Sequence, residues 1–136
     1  FCALLTKQVA ELEGQGVRHI GGVDQPTLHE AMRKASVWIY SNTGKIETFC
    51  ISAVKAQATG LTCITTDAGA LGEVVLDGQI IPEAEIDPAA GRAKMVDLAV
   101  AALNNPEPDT VREERRKKAL EKFSWQNVAK LFEDVL

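Results

Sequence analysis

The chain of 136 residues lacks several features that would assign it quickly to a class. No apolar run approaches the roughly 18–20 residues that a membrane-spanning helix needs. Its 15 Lys and Arg residues are outnumbered by 19 Asp and Glu, so the net charge is −4 and binding to nucleic acid, which requires a basic face, is not expected. There is no internal repeat, no low-complexity segment and no Gly-x-Gly-x-x-Gly fingerprint, which argues against an unrelated dinucleotide-binding Rossmann protein.

Cysteine and histidine are also scarce. Cys2, Cys50 and Cys63 sit among apolar neighbours without the paired spacing of metal ligands, so we expect buried, reduced thiols in a cytoplasmic protein. His19 and His29 show no partner pattern, so no metal is expected.

The N-terminal residues show neither an initiator methionine nor the pattern of a signal peptide. Residues 1–5 contain no Met and lack the basic flank of a signal peptide. The length suits a single domain over residues 1–136. We therefore expect a fragment of a longer cytoplasmic protein, whose full-length form could still associate peripherally with a membrane.

Hydrophobic periodicity predicts strands that alternate with helices. The predicted strands are 17–20, 37–40, 61–66 and 79–81. The predicted helices are 4–13, a segment beginning after Pro26 with a capping box at Thr27–Glu30, 48–58, 73–76, 89–103, 109–122 and a last helix capped by Ser124. This order, with short connections, predicts a Rossmann-like α/β domain, a parallel sheet with helices on both faces.

The same periodicity predicts what is buried. We expect strand 37–40 to be buried, and the basic run 115–118 to be a solvated helix face balanced by Glu113 and Glu114. The residues expected to face the core are Leu28, Ala31, Met32, Ala35, Phe49, Ile51, Val54, Ala58, Met95, Leu98, Ala99, Ala102 and Leu103.

Two loops are candidates for binding, because open parallel sheets bind ligands beyond the carboxyl ends of their strands. The polar loop 41–48 ends with Glu47 at the start of a helix, and the loop 67–72 contains Gly69 and Gly72. Each has an ordinary structural explanation as well. Glu47 is also what a helix dipole favours, and the glycines also suit a tight turn.

A longer pattern is more specific. The string from Glu47 to Leu61, followed by Cys63–Thr66, resembles the donor-site signature of retaining GT-B glycosyltransferases of the group 1 family. The residues that match in order are Ser41, Glu47, Phe49, Ala56, Ala58, Gly60, Thr65 and Thr66. Weaker similarity extends to Gly21–Val23, Leu28, the segment Ala35–Tyr40, Gly69, Glu73 and Phe123–Trp125, so the resemblance covers nearly the whole chain.

The resemblance implies a C-terminal domain that binds a nucleotide-diphosphate sugar as donor, in a protein whose missing N-terminal domain holds the acceptor. Transfer would proceed with retention and without a metal or other cofactor. Glu47 would lie against the donor sugar as the catalytic residue. The implied donor-binding residues are Ser41, Thr48, Phe49, Cys50, Lys55 and Gly69, with the amides of Thr48, Phe49 and Cys50 facing the pyrophosphate. The isolated chain is expected to be inactive, because half of the cleft is absent.

Three departures from the family pattern are present, and the first of them, Lys55, motivates an alternative, a degenerate binding or scaffold domain. Lys55 stands eight positions after Glu47, where the family has a second glutamate, and an ammonium cannot accept hydrogen bonds from ribose hydroxyls. Thr48 and Cys50 replace small residues beside Phe49. The family's diphosphate-binding Arg and Lys come from segments that precede this chain, so no equivalents can be assigned.

The end of the chain carries a further expectation from the family, in which the final helix crosses back toward the partner domain. The apolar stripe formed by Trp125, Phe132 and Val135 should then be partly exposed in this chain.

Overall fold

The computed structural model describes residues 2–43, 47–85 and 90–133, which divide into two units, Phe1–Glu30 and Ala31–Leu136. The strands are β1 (Val37–Tyr40), β2 (Thr62–Thr66) and β3 (Gly78–Ile81). The helices are α1 (Cys2–Glu13), α2 (Gln25–Lys34), α3 (Ile51–Ala58), α4 (Leu71–Val74), α5 (Ala90–Asn104), α6 (Asp109–Phe123) and α7 (Trp125–Glu133), with a 3-10 turn at Glu83–Glu85. None of these helices is long and apolar enough to cross a membrane.

The first unit differs from the prediction in the segment after α1. Residues 17–20 were predicted to form a strand, but they have no regular structure, and both Val17 and Ile20 are exposed. A strand is stabilised by pairing with a neighbour, and the described sheet contains only β1, β2 and β3. The predicted fourth strand is therefore wrong.

Helix α2 begins one turn earlier than its predicted capping box. The Asp24 carboxylate accepts a hydrogen bond from the Thr27 amide at 3.0 Å, and this interaction with Thr27 lowers the pKa of Asp24. Asp24 therefore caps the helix, because its short side chain reaches a free amide of the first turn. Farther along α2, Met32 is buried as predicted, whereas Ala31 is exposed.

The three strands form a parallel sheet in the order β1-β2-β3. In the register, Tyr40 of β1 pairs with Thr65 of β2, and Thr65 pairs with Ile80 of β3. Because β1 lies at the edge of the described sheet, its Ile39 is 50% exposed. The prediction that this strand is buried throughout is thus wrong, although its boundaries are correct.

The core lies between the sheet and α5, which packs on all three strands. Its members are Ile64, Ile81, Met95 and Ala99, flanked by Val37 and Leu98. Successive side chains of a strand point to opposite faces, so Cys63 and Thr65 lie on the face opposite Ile64. Helix α3 also packs against β2. The Rossmann-like α/β arrangement is confirmed. Leu103, predicted to be inward, is exposed near the end of α5.

Helix α3 is held by a buried glutamine. Gln57 donates from Nε2 to the Val74 carbonyl at 2.9 Å and accepts from the Leu76 amide at 2.8 Å. The helix begins at Ile51 rather than at residue 48, and Phe49 and Ile51, predicted to be inward, are 46% and 62% exposed. The prediction failed for Phe49 because it extended the helical period into a segment that is not helical, whereas Ile51 is the first helical residue and lies on the exposed side of α3.

Helix α6 is anchored by a buried charge. The Arg115 side chain, 2% exposed, donates to both carboxylate oxygens of Glu107 at 2.8 and 2.9 Å and to the Asp77 carbonyl at 3.1 Å. Thr62 donates to the same Glu107 carboxylate at 2.7 Å. The prediction that the whole basic run 115–118 is solvated is therefore wrong for Arg115, which points into the protein and links α6 to the residues that precede β2 and β3.

The turn after α3 is part of the same contact. The Gly60 carbonyl accepts hydrogen bonds from Arg112 at 3.2 Å and Arg115 at 3.5 Å. Gly60 has a φ of 78°, and a Cβ at this position would lie 3.1 Å from the Arg112 carbonyl oxygen. Gly60, which follows the end of α3 as predicted, thus also binds two arginine side chains of α6 through its carbonyl.

Both described thiols are free. Cys50 and Cys63 are buried and unpaired with each other in a disulfide, and burial raises the pKa of Cys63 to about 12. The Cys63 thiol is therefore neutral near pH 7. The Cys2 side chain lies outside the described part of the chain.

Helix α7 leaves most of its apolar face uncovered. The Ser124 hydroxyl accepts a hydrogen bond from the Asn127 amide at 3.4 Å, which is consistent with the predicted cap. Trp125 and Phe132 are 84% and 68% exposed, so the expected exposure of this stripe is confirmed for the described residues. Val135 lies beyond them.

We predict that Arg115→Met lowers the free energy of unfolding by about 3 kcal/mol, because it leaves the Glu107 carboxylate partly buried without its partner. Arg116→Met is the matched control, since the neighbouring arginine is exposed and its removal should change stability by less than about 0.5 kcal/mol. Urea unfolding followed by circular dichroism measures both. Equal effects of the two substitutions would contradict an anchoring role for Arg115.

We also predict that Glu107 makes the protein sensitive to acid. Hydrogen bonding from Arg115, assisted by Thr62, lowers the pKa of Glu107 from its ordinary 4.5 despite opposing desolvation. The unfolded chain therefore binds a proton first as the pH falls, and the stabilisation present at neutral pH is lost below about pH 4.5, through the lower pKa of the folded state. Glu107→Gln should be less stable at pH 7 and should lose less stability between about pH 5 and 3. Parallel pH profiles for parent and variant in urea unfolding would show that Glu107 does not contribute.

Candidate functional site

The two candidate loops meet at one edge of the sheet. They follow the carboxyl ends of β1 and β2, which are adjacent parallel strands. The backbone carbonyl of Glu47, at the end of the first loop, accepts a hydrogen bond from the Ala70 amide of the second loop at 2.8 Å. Residues 44–46 of the first loop lie outside the described part of the chain. Glu47 and the glycine loop are therefore direct neighbours.

Gly69 makes this approach possible. It adopts a φ of 59°, which favours glycine, and a Cβ here would overlap the Glu47 carbonyl oxygen and lie 2.8 Å from the Glu47 nitrogen. The predicted site residues Glu47 and Gly69 thus contact each other through the backbone.

Two buried threonines of β2 hold the start of the first loop. Thr65 donates to the Tyr40 carbonyl at 2.8 Å, and Thr66 donates to the Asn42 carbonyl at 2.7 Å. Both hydroxyls satisfy backbone carbonyls near the end of β1, where regular pairing stops. The sequence pattern included Thr65 and Thr66 but not this role, because no local signal identifies the carbonyls they contact.

The Glu47 carboxylate is held at both oxygens. Oε1 accepts from the Cys50 amide at 3.0 Å, and Oε2 accepts from the Tyr40 hydroxyl at 3.2 Å. Desolvation is the largest single influence and opposes ionisation, but hydrogen bonds from Cys50, Tyr40 and the Phe49 amide together outweigh it and lower the pKa of Glu47. The side chain is half-buried and ionised at neutral pH. The Cys50 amide and the Tyr40 hydroxyl occupy two of the roughly four acceptor positions of a carboxylate.

The beginning of α3 is unusual at Cys50, which precedes the first helical residue and has a φ of 51°. This left-handed conformation costs a residue other than glycine on the order of 1 kcal/mol. The Cys50 side chain is buried, and its amide is already hydrogen-bonded to Glu47. The sequence led us to expect this amide to face a pyrophosphate, whereas in the structure it orients the carboxylate.

The aromatic side chain beside Glu47 contacts the end of α6. The Phe49 ring lies edge-to-face against Phe123, with centroids 5.9 Å apart, and the Lys122 ammonium is 5.4 Å from the centre of the Phe123 ring. Thr48, between Glu47 and Phe49, is exposed. The exposed Phe49 therefore contacts another helix instead of filling the core.

The remaining predicted residues lie at the margins of this arrangement. Ser41 is exposed directly after β1, and Lys55 is half-buried on α3. The sequence reasoning did not identify Tyr40 as part of the site, although a single tyrosine at the end of a strand that leads into a polar loop was a usable signal. Among the residues that the structure describes, no group of three or more His, Cys, Asp or Glu side chains is placed to hold a metal ion.

The fold and the carboxylate at the junction of the two loops agree with a comparison of the sequence with known protein families. The chain belongs to the family Glycosyl transferases group 1, whose sequence profile matches residues 3–105. This match includes the whole of β1, α3, β2 and the glycine loop.

Individual relatives are glycosyltransferases from bacteria and from a plant. The chain is 32% identical over 117 residues to a phosphatidyl-myo-inositol mannosyltransferase of Mycobacterium tuberculosis, which covers 83% of this chain and 30% of that protein. It is 30% identical over 114 residues to a lipopolysaccharide 1,2-N-acetylglucosaminetransferase of Salmonella typhimurium, covering 84% and 29%. It is 32% identical over 97 residues to one component of the phosphatidylinositol N-acetylglucosaminyltransferase of Arabidopsis thaliana, covering 71% and 20%. The chain thus spans less than a third of the length of these relatives.

We predict that Gly69→Ala destabilises the protein by at least about 1–2 kcal/mol from its left-handed backbone alone, and more from the overlap with Glu47. Gly72→Ala is the matched control in the same segment. Its φ is not in the left-handed region and its new Cβ would lie 3.8 Å from the Asp67 Cβ, so it should be neutral or slightly stabilising. Urea unfolding of both variants measures the difference. Equal stability of the two would contradict the close approach of the loops.

Proposed function

We propose that this chain is the C-terminal, donor-binding domain of a cytoplasmic retaining glycosyltransferase that transfers a sugar from a nucleotide-diphosphate sugar to an acceptor. The observation that supports it best is the Glu47 carboxylate, which is ionised, half-buried and held at both oxygens where the loops after β1 and β2 meet. Ligands of open parallel sheets bind at such an edge. The membership of the chain in the glycosyltransferase family supplies the chemistry.

In this proposal Glu47 accepts hydrogen bonds from the hydroxyl groups of the donor sugar, using the lone pairs that Cys50 and Tyr40 leave available. The diphosphate lies near the start of α3, where the helix dipole favours negative charge. The same dipole would stabilise the leaving diphosphate as the glycosidic bond breaks, so no metal is required by the proposed mechanism. Ser41, Thr48, Phe49, Lys55 and Gly69 complete the donor site.

The acceptor would be held by an N-terminal domain of the same polypeptide. The chain spans 30% of the mycobacterial mannosyltransferase, which leaves ample length for such a domain in a protein of similar size. We propose that the exposed apolar face of α7, formed by Trp125, Leu131 and Phe132, lies against that domain. The isolated chain would then lack half of the cleft and be inactive.

A second candidate function is a degenerate domain that binds without catalysis. It is favoured by Lys55, which cannot accept hydrogen bonds from a ribose, and by the Cys50 amide, which is engaged with Glu47 rather than free for a phosphate. Such a domain would keep the fold and the carboxylate while losing affinity for nucleotide sugars.

We predict that Glu47→Gln in the full-length protein lowers kcat/KM for sugar transfer by about a hundredfold or more, because it removes the charge that the sugar site requires. Glu114→Gln, which removes an exposed carboxylate on α6 that pairs with Lys118, should leave transfer unchanged. Both are measured with GDP-mannose and UDP-N-acetylglucosamine as donors. Normal transfer by Glu47→Gln would refute the assignment of Glu47.

The degenerate alternative is tested by isothermal calorimetry of the full-length parent and Lys55→Glu with UDP-, GDP- and ADP-linked sugars. Clear binding by the parent counts against degeneration. Binding that appears only in Lys55→Glu would favour it over the catalytic proposal.

A further inference from the structure

Tyr40 is held beside Glu47 through both its backbone and its ring. It is the last residue of β1, where its backbone carbonyl accepts from the buried Thr65 hydroxyl at 2.8 Å. Its ring is stacked on Trp38 with centroids 5.6 Å apart and planes inclined by 25°. The backbone is therefore fixed by the sheet and the ring by an aromatic neighbour, so the hydroxyl is presented from a rigid element.

That hydroxyl is directed at the carboxylate. It donates to Glu47 Oε2 at 3.2 Å, while the Cys50 amide donates to Oε1 at 3.0 Å. Desolvation, followed by the interaction with Glu47, raises the pKa of Tyr40, so the phenol remains a donor throughout the neutral range. The Glu47 carboxylate thus accepts one hydrogen bond from Tyr40 of β1 and one from Cys50, which immediately precedes α3.

Two donors on different oxygens restrict a carboxylate more than either does alone. A hydrogen bond from the Cys50 amide alone would fix Oε1 but would leave Oε2 free to change position, since a glutamate has three rotatable side-chain bonds. The Tyr40 hydroxyl removes that freedom by fixing the second oxygen. Because sugar hydroxyls must meet the remaining lone pairs at defined angles, the orientation of the carboxylate decides how well it binds them.

We propose that Tyr40 is a positioning residue for Glu47, which by donating to Oε2 fixes the orientation in which the carboxylate accepts the hydroxyl groups of the donor sugar. This inference depends on the proposed donor-binding function. Tyr40 acts through Glu47 and need not touch the sugar itself.

The test is the pH dependence of donor binding in the full-length protein. Among the residues that the structure describes, the groups that act on the Glu47 carboxylate are Tyr40 from β1 and Phe49 and Cys50 from the segment before α3. Removing a hydrogen bond to the ionised form raises the pKa of a carboxyl group. Without the Tyr40 hydroxyl, Glu47 should therefore become protonated at a higher pH, and the acid limb of donor affinity should move upward with it.

Tyr40→Phe removes only the hydroxyl and keeps the ring on Trp38. Thr59→Val is the matched control, because it removes a hydroxyl that bonds the Lys55 and Ala56 carbonyls at the other end of α3. Calorimetric titration with GDP-mannose and UDP-N-acetylglucosamine is performed from about pH 3 to 8, which extends below the ordinary pKa of a glutamate because that of Glu47 is lowered. The pKa of Glu47 is followed in parallel by ¹³C NMR of labelled glutamate carboxyl carbons, assigned with Glu47→Gln.

We expect Tyr40→Phe to weaken donor binding about tenfold, to shift its acid limb to higher pH and to raise the pKa of Glu47, while Thr59→Val behaves as the parent. If Glu47→Gln weakens binding but Tyr40→Phe does not, the positioning role is overturned and the donor role of Glu47 stands. Equal losses in Tyr40→Phe and Thr59→Val with an unmoved acid limb also overturn it, since they report only a structural effect. If the parent binds none of the UDP-, GDP- and ADP-linked sugars, or Glu47→Gln binds as the parent does, the proposed function fails and this inference fails with it.

Discussion

The interaction on which most of the second unit depends is the bidentate pairing of the Arg115 guanidinium with Glu107. A guanidinium cannot give up its proton in the interior, so α6 can dock only where carboxylates and carbonyls satisfy all of its donors. Glu107, Asp77 and Gly60 supply these acceptors from three separate segments. The pairing therefore selects one axial position of α6 against the sheet. Because α6 ends at Phe123, that position also determines where the helix meets the segment beside Glu47.

Much of this fold follows from periodicity, and the exceptions have physical causes. The runs Val37–Tyr40 and Thr62–Thr66 are rich in β-branched residues and end in polar loops, so the sequence identifies them directly. The run at 17–20 has similar chemistry, but a strand needs a partner, and partners are set by the tertiary structure. Arg115 was assigned to the surface with its basic neighbours. Its spacing of four from the buried Ala119 was the available signal that it shares the inward face of α6.

The candidate site was predictable in its residues but less so in its contacts. The resemblance identified Glu47 and Gly69, and the structure brings their backbones together. It could not identify the contact between Tyr40 and Glu47, because the distance between a phenol and a carboxylate seven residues later depends on the path of the loop between them. Nor could it show that the Cys50 amide is engaged, since that follows from the left-handed backbone at Cys50, a conformation that local preferences disfavour.

The hydrogen bond from Cys50 to Glu47 bears on how relatives of this protein should be compared. The Glu47 carboxylate accepts hydrogen bonds from the Cys50 amide, just before α3, and from the Tyr40 hydroxyl, at the end of β1. The side chain therefore contributes to the folded structure as well as to the proposed site, and selection for a folded chain would help to preserve it. A family member that has ceased to transfer sugar would still lose stability by replacing it. An intact glutamate in a homologue is thus evidence of a shared fold. A position that contributes to donor binding but not to stability would distinguish active from inactive family members better.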